Sequence, residues 1–288
     1  MIKKLLPVLI TVSLALTTLF AFDWPQKQIN SNIIISSFGQ KYGADISFSY
    51  VFADPEEIYA IDKGKILIIM TDDPEETTLF PSTLGTSVII EHDDQLLSVY
   101  GNLDRESVEE SLNDLQGIQS GQFLGRTGNS GWQKKRANLE FQMMDTTNQN
   151  AVNPIIFMPR AENQQPLQIS QVMLENRKGE IFNIDSTKTF DSGFYKIYKE
   201  QNASAPYRST ITINGVILDQ ITYDTIKEEN NRMYVSGKKQ YLSEDIYPDD
   251  ERQLLGEAML TPGKITLGIE LEDYIGNSRH LNYILQVH

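Results

Sequence analysis

Residues 117–142 read GIQSGQFLGRTGNSGWQKKRANLEFQ, and this stretch decides the fold of the first half of the chain. Glycines stand at Gly121, Gly125, Gly128 and Gly131. Glycine permits tight turns, positive φ values and a close approach of neighbouring backbone. A short apolar strand is predicted directly afterwards, over 139–143. The stretch therefore predicts a rigid loop beside a groove, while glycine spacing taken alone also fits an ordinary hairpin corner.

The composition is that of a folded, acidic protein. Its 288 residues, 40% of them hydrophobic, are enough for two domains with cores of their own. The formal net charge of -14 argues against binding to nucleic acid or to anionic lipid, because both require a cationic surface. The chain has no cysteine, so disulfides and a lipid-modified cysteine are excluded, and its stability must come from packing.

Residues 1–21 are typical of an export signal. Lys3 and Lys4 precede an apolar run over 5–20, and the small residue Ala21 closes it. The run is short for a membrane span. Leu19, three residues before the cut, leaves the exact cleavage site open. We predict no membrane anchor after cleavage, and a periplasmic or cell-surface location in a bacterium.

Hydrophobic alternation predicts a mainly β first domain over 22–159. Strands are expected over 58–60 and 66–70, joined as a hairpin, and over 86–91 and 96–100, joined as a second hairpin. One helix is expected over 105–115, with acidic residues in its first turn. Two further strands are predicted over 32–38 and 46–52.

After a polar linker over 160–166, evenly spaced strands predict a second domain over 167–288, built as an all-β sandwich. The segment 263–287 resembles the last hairpin of immunoglobulin-like modules. In its turn, Asp273 is expected to accept hydrogen bonds and Gly276 to supply a positive φ. The strands are predicted over 167–174, 180–184, 193–198, 209–213, 232–235, 254–260, 264–271 and 281–287.

Six separate pieces of the first domain, in order and at the right spacing, give it a family resemblance. It resembles the LytM/lysostaphin-type zinc endopeptidases, which cut peptide cross-links in bacterial cell walls. The resemblance covers residues 36–159 and implies the LytM-type β-sheet/barrel-sandwich fold. The pieces are SSFG (36–39), IYAIDKGKI (58–66, for VYA…DGKV), VIIEHDDQLLSVYGNL (88–103), the glycine stretch 117–131, NLEFQ (138–142, for HLHFE) and NP (153–154).

The resemblance also implies a zinc site, and this chain departs from the family at every position of that site. The family binds zinc through a His, an Asp four residues later and the second His of HLH. In an ungapped alignment the first pair falls on Asp45 and Ser49, and HLH falls on Asn138 and Glu140. The catalytic His position holds Asn102, whose amide does not titrate. We therefore expect no catalytic residue, no metal and no cofactor, since zinc sites of this kind need about three protein ligands.

Other interpretations of the same positions stay open. Asp45 and Glu140, with Asn138 and Ser49, form a candidate site for a hard cation such as calcium or magnesium. A hydrolase that uses two carboxylates is a second interpretation. In a third, the two acids are solvated or hydrogen-bonded in an empty groove.

His92 and Trp132 carry one prediction each. His92 is expected to be a structural or solvated residue of a hairpin turn, since the matching family position is not usually a ligand. Trp132 directly follows the last glycine of the loop. Exposed, it would stack on a sugar or a peptide; buried, it would only wedge the loop.

The leading interpretation is a pseudo-peptidase whose emptied groove binds a peptidoglycan peptide or an envelope protein. Related inactive LytM modules activate cell-wall amidases, and the resemblance permits that role here. One alternative is an active cell-wall metallohydrolase with a rebuilt metal site. Another is a structural envelope protein that binds through the sandwich domain.

Overall fold

A computed structural model describes residues 22–27, 29, 31–43, 45–53, 57–71, 82–112, 115–133, 136–159, 166–202, 206–274 and 276–288. The predicted signal peptide and most of the predicted linker lie outside these residues. Among the described helices, none has the length and apolar character needed to cross a membrane.

The first half of the chain is mainly β, as predicted, and its described residues include one α-helix. Asp104 caps this helix, because its Oδ1 accepts the Ser107 N–H at 2.9 Å. The elements are β1 (Ile34–Ser36), β2 (Lys41–Tyr42), β3 (Asp45–Ile46), β4 (Tyr50–Phe52), β5 (Glu57–Tyr59), β6 (Gly64–Met70), β7 (Ser87–Glu91), β8 (Leu96–Gly101), α1 (Arg105–Leu112), β9 (Gly117–Ile118), β10 (Phe123–Arg126), β11 (Leu139–Asp145) and β12 (Asn150–Val152).

The second half is also β-rich, and its two sheets pack face to face as the predicted sandwich. The elements are β13 (Met173–Asn176), β14 (Ile181–Asn183), β15 (Thr189–Phe190), β16 (Gly193–Glu200), β17 (Arg208–Ile213), β18 (Val216–Glu229), β19 (Arg232–Ser236), β20 (Gln240–Leu242), α2 (Ser243–Ile246), β21 (Arg252–Leu260), β22 (Gly263–Glu272) and β23 (Ser278–Val287).

One large sheet runs through both halves. Its strand order is β15-β23-β22-β17-β18-β12-β11-β8-β7-β6-β9, and β4 also pairs with β11. The halves meet where β12 pairs antiparallel with β18, with Ala151 opposite Ile226. A second sheet, β14-β13-β16-β21, faces the β17–β22–β23 part of the large sheet across a core that includes Leu174, Ile197 and Leu267.

The apolar core beneath β11 is also shared between the halves. Phe52 and Phe141 from the first half lie in one cluster with Tyr223 and Tyr241 from the second. The strand pairing and the common core join the two predicted domains over a continuous interface.

The strand predicted over 46–52 is instead two short strands, β3 and β4. The hydroxyl of Ser47 donates to the carbonyl of Ser49 at 2.9 Å and accepts from the Ser49 N–H at 3.3 Å. Such local side-chain bonds compete with strand pairing for the backbone groups. The prediction of one continuous strand was therefore wrong.

The hairpin predicted from 58–60 and 66–70 is also wrong, although both strands exist. β5 pairs with β10, while β6 pairs with β7 and β9. The second predicted hairpin is confirmed, since β7 and β8 pair antiparallel. In the turn of the last hairpin, Asp273 Oδ1 accepts the Asn277 N–H at 2.8 Å, and Gly276 has a φ of 85°. Both expectations for that turn are confirmed.

Candidate functional site

The candidate site lies on β11, the strand that begins just after the glycine loop. β11 pairs with β4 on one side and β8 on the other, and Glu140 stands opposite Val51 and Gly101. Residues directly opposite across a sheet share a face, and alternate residues of one strand do too. Glu140 and Gln142 therefore lie on one face of β11, away from the core residue Phe141.

Two neutral groups hold the carboxylate of Glu140. The indole Nε1–H of Trp132 donates to Glu140 Oε2 at 2.6 Å, and the Gln142 amide donates to Oε1 at 3.1 Å. Glu140 is 9% exposed. Within the described part of the chain, no ion pair joins it to a lysine or arginine. The negative charge is thus largely buried, and its donors among the described residues are neutral.

Two aromatic rings lie at the surface above this carboxylate. The rings of Trp132 and Tyr42 meet edge to face, with centroids 5.0 Å apart. Trp132 is 42% exposed and Tyr42 41% exposed. Of the two alternatives for Trp132, the structure shows the exposed one. Burial, and next the charge of Glu140, raise the pKa of Tyr42 to about 12.

Asn102 points into the loops rather than into the groove. Its amide Nδ2 donates to the carbonyls of Asn138 at 2.7 Å and Arg136 at 3.1 Å, and its Oδ1 accepts the Gly131 N–H at 2.9 Å. Its backbone takes a left-handed φ of 64°, which asparagine tolerates better than most residues. The side chain therefore fastens the glycine loop to the start of β11.

Gly128 completes this junction. A Cβ at Gly128 would lie 2.5 Å from the carbonyl oxygen of Leu103, so only glycine fits there. Its N–H donates to the Asn102 carbonyl at 2.7 Å. The loop that carries Trp132 is thus packed directly against the backbone that follows β8.

The remaining predicted positions lie around the same strands. Asn138 is buried directly before β11, and Ser49 is buried directly before β4. Asp45 lies on β3, opposite Tyr42, and its Oδ1 accepts the Ile46 N–H at 3.1 Å. No described hydrogen bond joins Asp45 to Glu140. Tyr42 and Gln142, which contribute to the site, were not among the predicted positions.

The histidines lie outside this groove. His92 is buried, with Nδ1 2.8 Å from the Lys63 carbonyl and Nε2 2.7 Å from the Ser98 hydroxyl. Both ring nitrogens thus have partners within the fold, as expected of a structural histidine. His280 and His288 are on or just after β23, in the second half.

Residues 40–154 match the model of peptidase family M23. This part of the chain is therefore a LytM-type domain, as its motifs predict, and is called the M23 domain below. A second family model matches residues 166–288. A protein of Treponema pallidum (strain Nichols), described as uncharacterized, is 26% identical over 121 residues, which are 40% of this chain and 80% of that protein.

Two solved structures are similar to part of this chain at low identity. A zinc-containing peptidase from Vibrio cholerae is 21% identical with a TM-score of 0.34; the match covers 43% of this chain and 36% of the peptidase. The catalytic domain of the prophage-encoded M23 protein EnpA from Enterococcus faecalis is 23% identical with a TM-score of 0.35, over 46% of this chain and 95% of that domain. This chain thus spans about a third of the length of the Vibrio peptidase.

The described side chains of the M23 domain do not fit the zinc ion that the family implies. A zinc site needs about three nitrogen, sulfur or carboxylate ligands from the protein. No group of three or more His, Cys, Asp or Glu side chains in the described residues is placed to hold a metal. The described partners of Glu140 are the neutral donors Trp132 and Gln142, neither of which is a zinc ligand, and the amide of Asn102 is used inside the loops.

Proposed function

We propose that this chain is an exported pseudo-peptidase whose groove binds, and does not cut, a peptidoglycan peptide or a protein of the bacterial envelope. One observation carries the proposal: the indole of Trp132 donates to Glu140, the residue at the family's second-histidine position. An exposed aromatic pair thus lies beside the residue that the motif resemblance aligns with a zinc ligand. Stacking on aromatic rings is a common way to bind sugars and peptides.

The proposal also rests on how firmly the groove is built. Asn102 and Gly128 fix the loop that presents Trp132, and the neighbouring hairpin, β2–β3, presents Tyr42. Fixed side chains lose little conformational entropy on binding, and this favours affinity. Under this proposal the module needs no zinc, and the signal over 1–21 directs it to the periplasm or the cell surface.

Co-sedimentation with purified sacculi, and capture from solubilised envelope extract, test the groove as the binding site. The variants are Trp132→Ala, which removes the ring, and Glu140→Lys, which reverses the buried charge. Glu229→Lys is the matched control, because Glu229 is exposed at the end of β18 in the second half. Circular dichroism confirms that each variant is folded.

We expect Trp132→Ala and Glu140→Lys to lose binding that Glu229→Lys retains. Binding that is unchanged in folded Trp132→Ala protein would show that the groove is not the site. That result would favour the sandwich domain as the contact surface.

A further inference from the structure

We propose that the groove selects ligands that carry a primary ammonium group, and that the group docks on the exposed rings of Trp132 and Tyr42, beside the carboxylate of Glu140. This inference deepens the proposed binding function and rests on it. It specifies the chemistry of the ligand: an amine on a peptide side chain or at a peptide N-terminus.

Glu140 supplies the charge that an ammonium group would complement. A carboxylate that is 9% exposed loses most of its hydration, and its two described donors, an indole and an amide, are neutral. Bonds to an ionised partner are stronger than bonds between neutral groups. A cation at this position would therefore gain more from Glu140 than a neutral ligand of the same shape.

The aromatic pair supplies an exposed surface for the cation. Trp132 and Tyr42 meet edge to face at 5.0 Å and each keeps about two-fifths of its surface open. Ring faces attract ammonium groups through the ring quadrupole, and tryptophan does so most strongly. The phenol of Tyr42, with its pKa raised to about 12, stays neutral at physiological pH and adds no charge of its own.

The described lysine and arginine side chains form no ion pair with Glu140. Lys41, next to Tyr42, forms an ion pair with Asp250 of the second half. Arg136 contacts the site only through its backbone carbonyl, which accepts from Asn102, and its side chain is exposed. Among the described residues, no cationic side chain is ion-paired with Glu140, and the ammonium group of a ligand would complement its charge.

The test uses the two indole N–H signals of the protein in a ¹⁵N NMR spectrum, since the chain has two tryptophans. Trp24 is buried, and its indole donates to the Pro159 carbonyl at 2.6 Å, so its signal is the internal control. The probes are Nα-acetyl-lysine methylamide, its uncharged analogue Nα-acetyl-norleucine methylamide, and glycylglycine amide. The last probe distinguishes an N-terminal amine from a side-chain amine.

We expect the Trp132 indole signal to shift with one or both cationic probes and not with the norleucine analogue. Glu140→Gln should weaken the binding of the cationic probe by about tenfold, the usual effect of losing a bond to a charged group. Glu229→Gln, which removes the same charge from the second half, should leave binding unchanged.

Equal shifts with the lysine and norleucine probes would overturn the inference, and so would unchanged binding in Glu140→Gln or the absence of a shift with either amine. These failures differ from a failure of the proposed function. If Trp132→Ala still abolishes binding to sacculi or to the envelope partner, the groove remains the site and only the selectivity for amines is wrong.

Discussion

The indole N–H of Trp132 donates to the carboxylate of Glu140 at 2.6 Å. The two residues are eight positions apart, one in the glycine loop and the other on β11. In the motif that resembles HLH, Glu140 stands at the second histidine. The M23 domain thus places an aromatic side chain over the motif position that corresponds to this histidine.

We predict that Trp132→Phe destabilises the protein by about 1–2 kcal/mol, because one donor to a buried carboxylate is lost. Urea denaturation measures the change in the free energy of unfolding. Tyr42→Phe is the matched control, since the Tyr42 hydroxyl makes no hydrogen bond within the described residues. It should change stability by less than about 0.5 kcal/mol. Equal stability of wild type and Trp132→Phe would mean that the bond contributes nothing.

The role of Asn102 is tested by comparing two substitutions. Asn102→Ala removes three hydrogen bonds and also puts alanine in a left-handed conformation, whereas Asn102→Gly removes only the bonds. We expect Asn102→Ala to lower the free energy of unfolding by about 2–4 kcal/mol, and Asn102→Gly to lower it by about 1 kcal/mol less. Thermal and urea unfolding measure the stability of both variants. A loss below 0.5 kcal/mol on substitution by alanine would refute the fastening role.

The second half of the chain also supports the groove wall, through Gly39. A Cβ at Gly39 would lie 2.7 Å from the Tyr223 ring, and the Gly39 carbonyl accepts the Tyr247 hydroxyl at 2.7 Å. Gly43 also has a positive φ, yet nothing lies within 4 Å of the corresponding position. We therefore predict that Gly39→Ala costs at least about 1 kcal/mol more than Gly43→Ala.

Urea denaturation of the two alanine variants measures this difference. Hydrogen exchange should also become faster in the segment around β2 and β3 in Gly39→Ala. Equal stabilities of the two variants would show that Tyr223 yields without cost, and that the second half does not hold this wall in place.

Stability should depend on pH through Lys199, which is fully buried on β16. Burial lowers the pKa of Lys199 from 10.5 to about 8. Between these values the unfolded chain binds the proton and the folded chain does not, so the free energy of unfolding rises with pH. Between pH 7.5 and pH 10, we expect the free energy of unfolding of wild type to rise by about 1–3 kcal/mol relative to that of Lys199→Met. Parallel pH profiles of the two proteins would contradict the lowered pKa.

Much of the M23 domain could be predicted from sequence, because its signals are local. The glycine stretch, the β7–β8 hairpin and the helix that begins at Arg105 each depend on turn, alternation or capping residues a few positions apart. The pairing of β5 with β10 could not be predicted, because no local pattern specifies which distant strand is the partner.

The largest omission was β18, the longest strand. Its core-facing side carries Asp219, a residue rare in strands, together with Ile221 and Tyr223, and a bulge between Thr222 and Ile226 then shifts the alternation. Asp219 is tolerated because it accepts hydrogen bonds from the Tyr241 hydroxyl and from the backbone N–H groups of Glu257, at 2.8 Å, and Lys238, at 3.2 Å. These partners are distant in sequence.

The candidate site was only partly predictable, because some of its residues meet only through contacts between segments that are distant in sequence. Glu140, Asn138 and Asn102 follow from the family motifs. Tyr42 and Gln142 do not, because Tyr42 meets Trp132 only when the β2–β3 hairpin is folded against the glycine loop. No signal in the sequence indicates that contact.

The most direct test of the central claim is the release of soluble fragments from purified sacculi by the intact protein, with and without added zinc. We predict binding without release in both conditions, because the described residues hold no group of three metal-binding side chains and the family's catalytic histidine position holds Asn102. Zinc-dependent release that a chelator abolishes, and that is missing in Glu140→Gln, would show that the groove is a working metallohydrolase and would contradict this account.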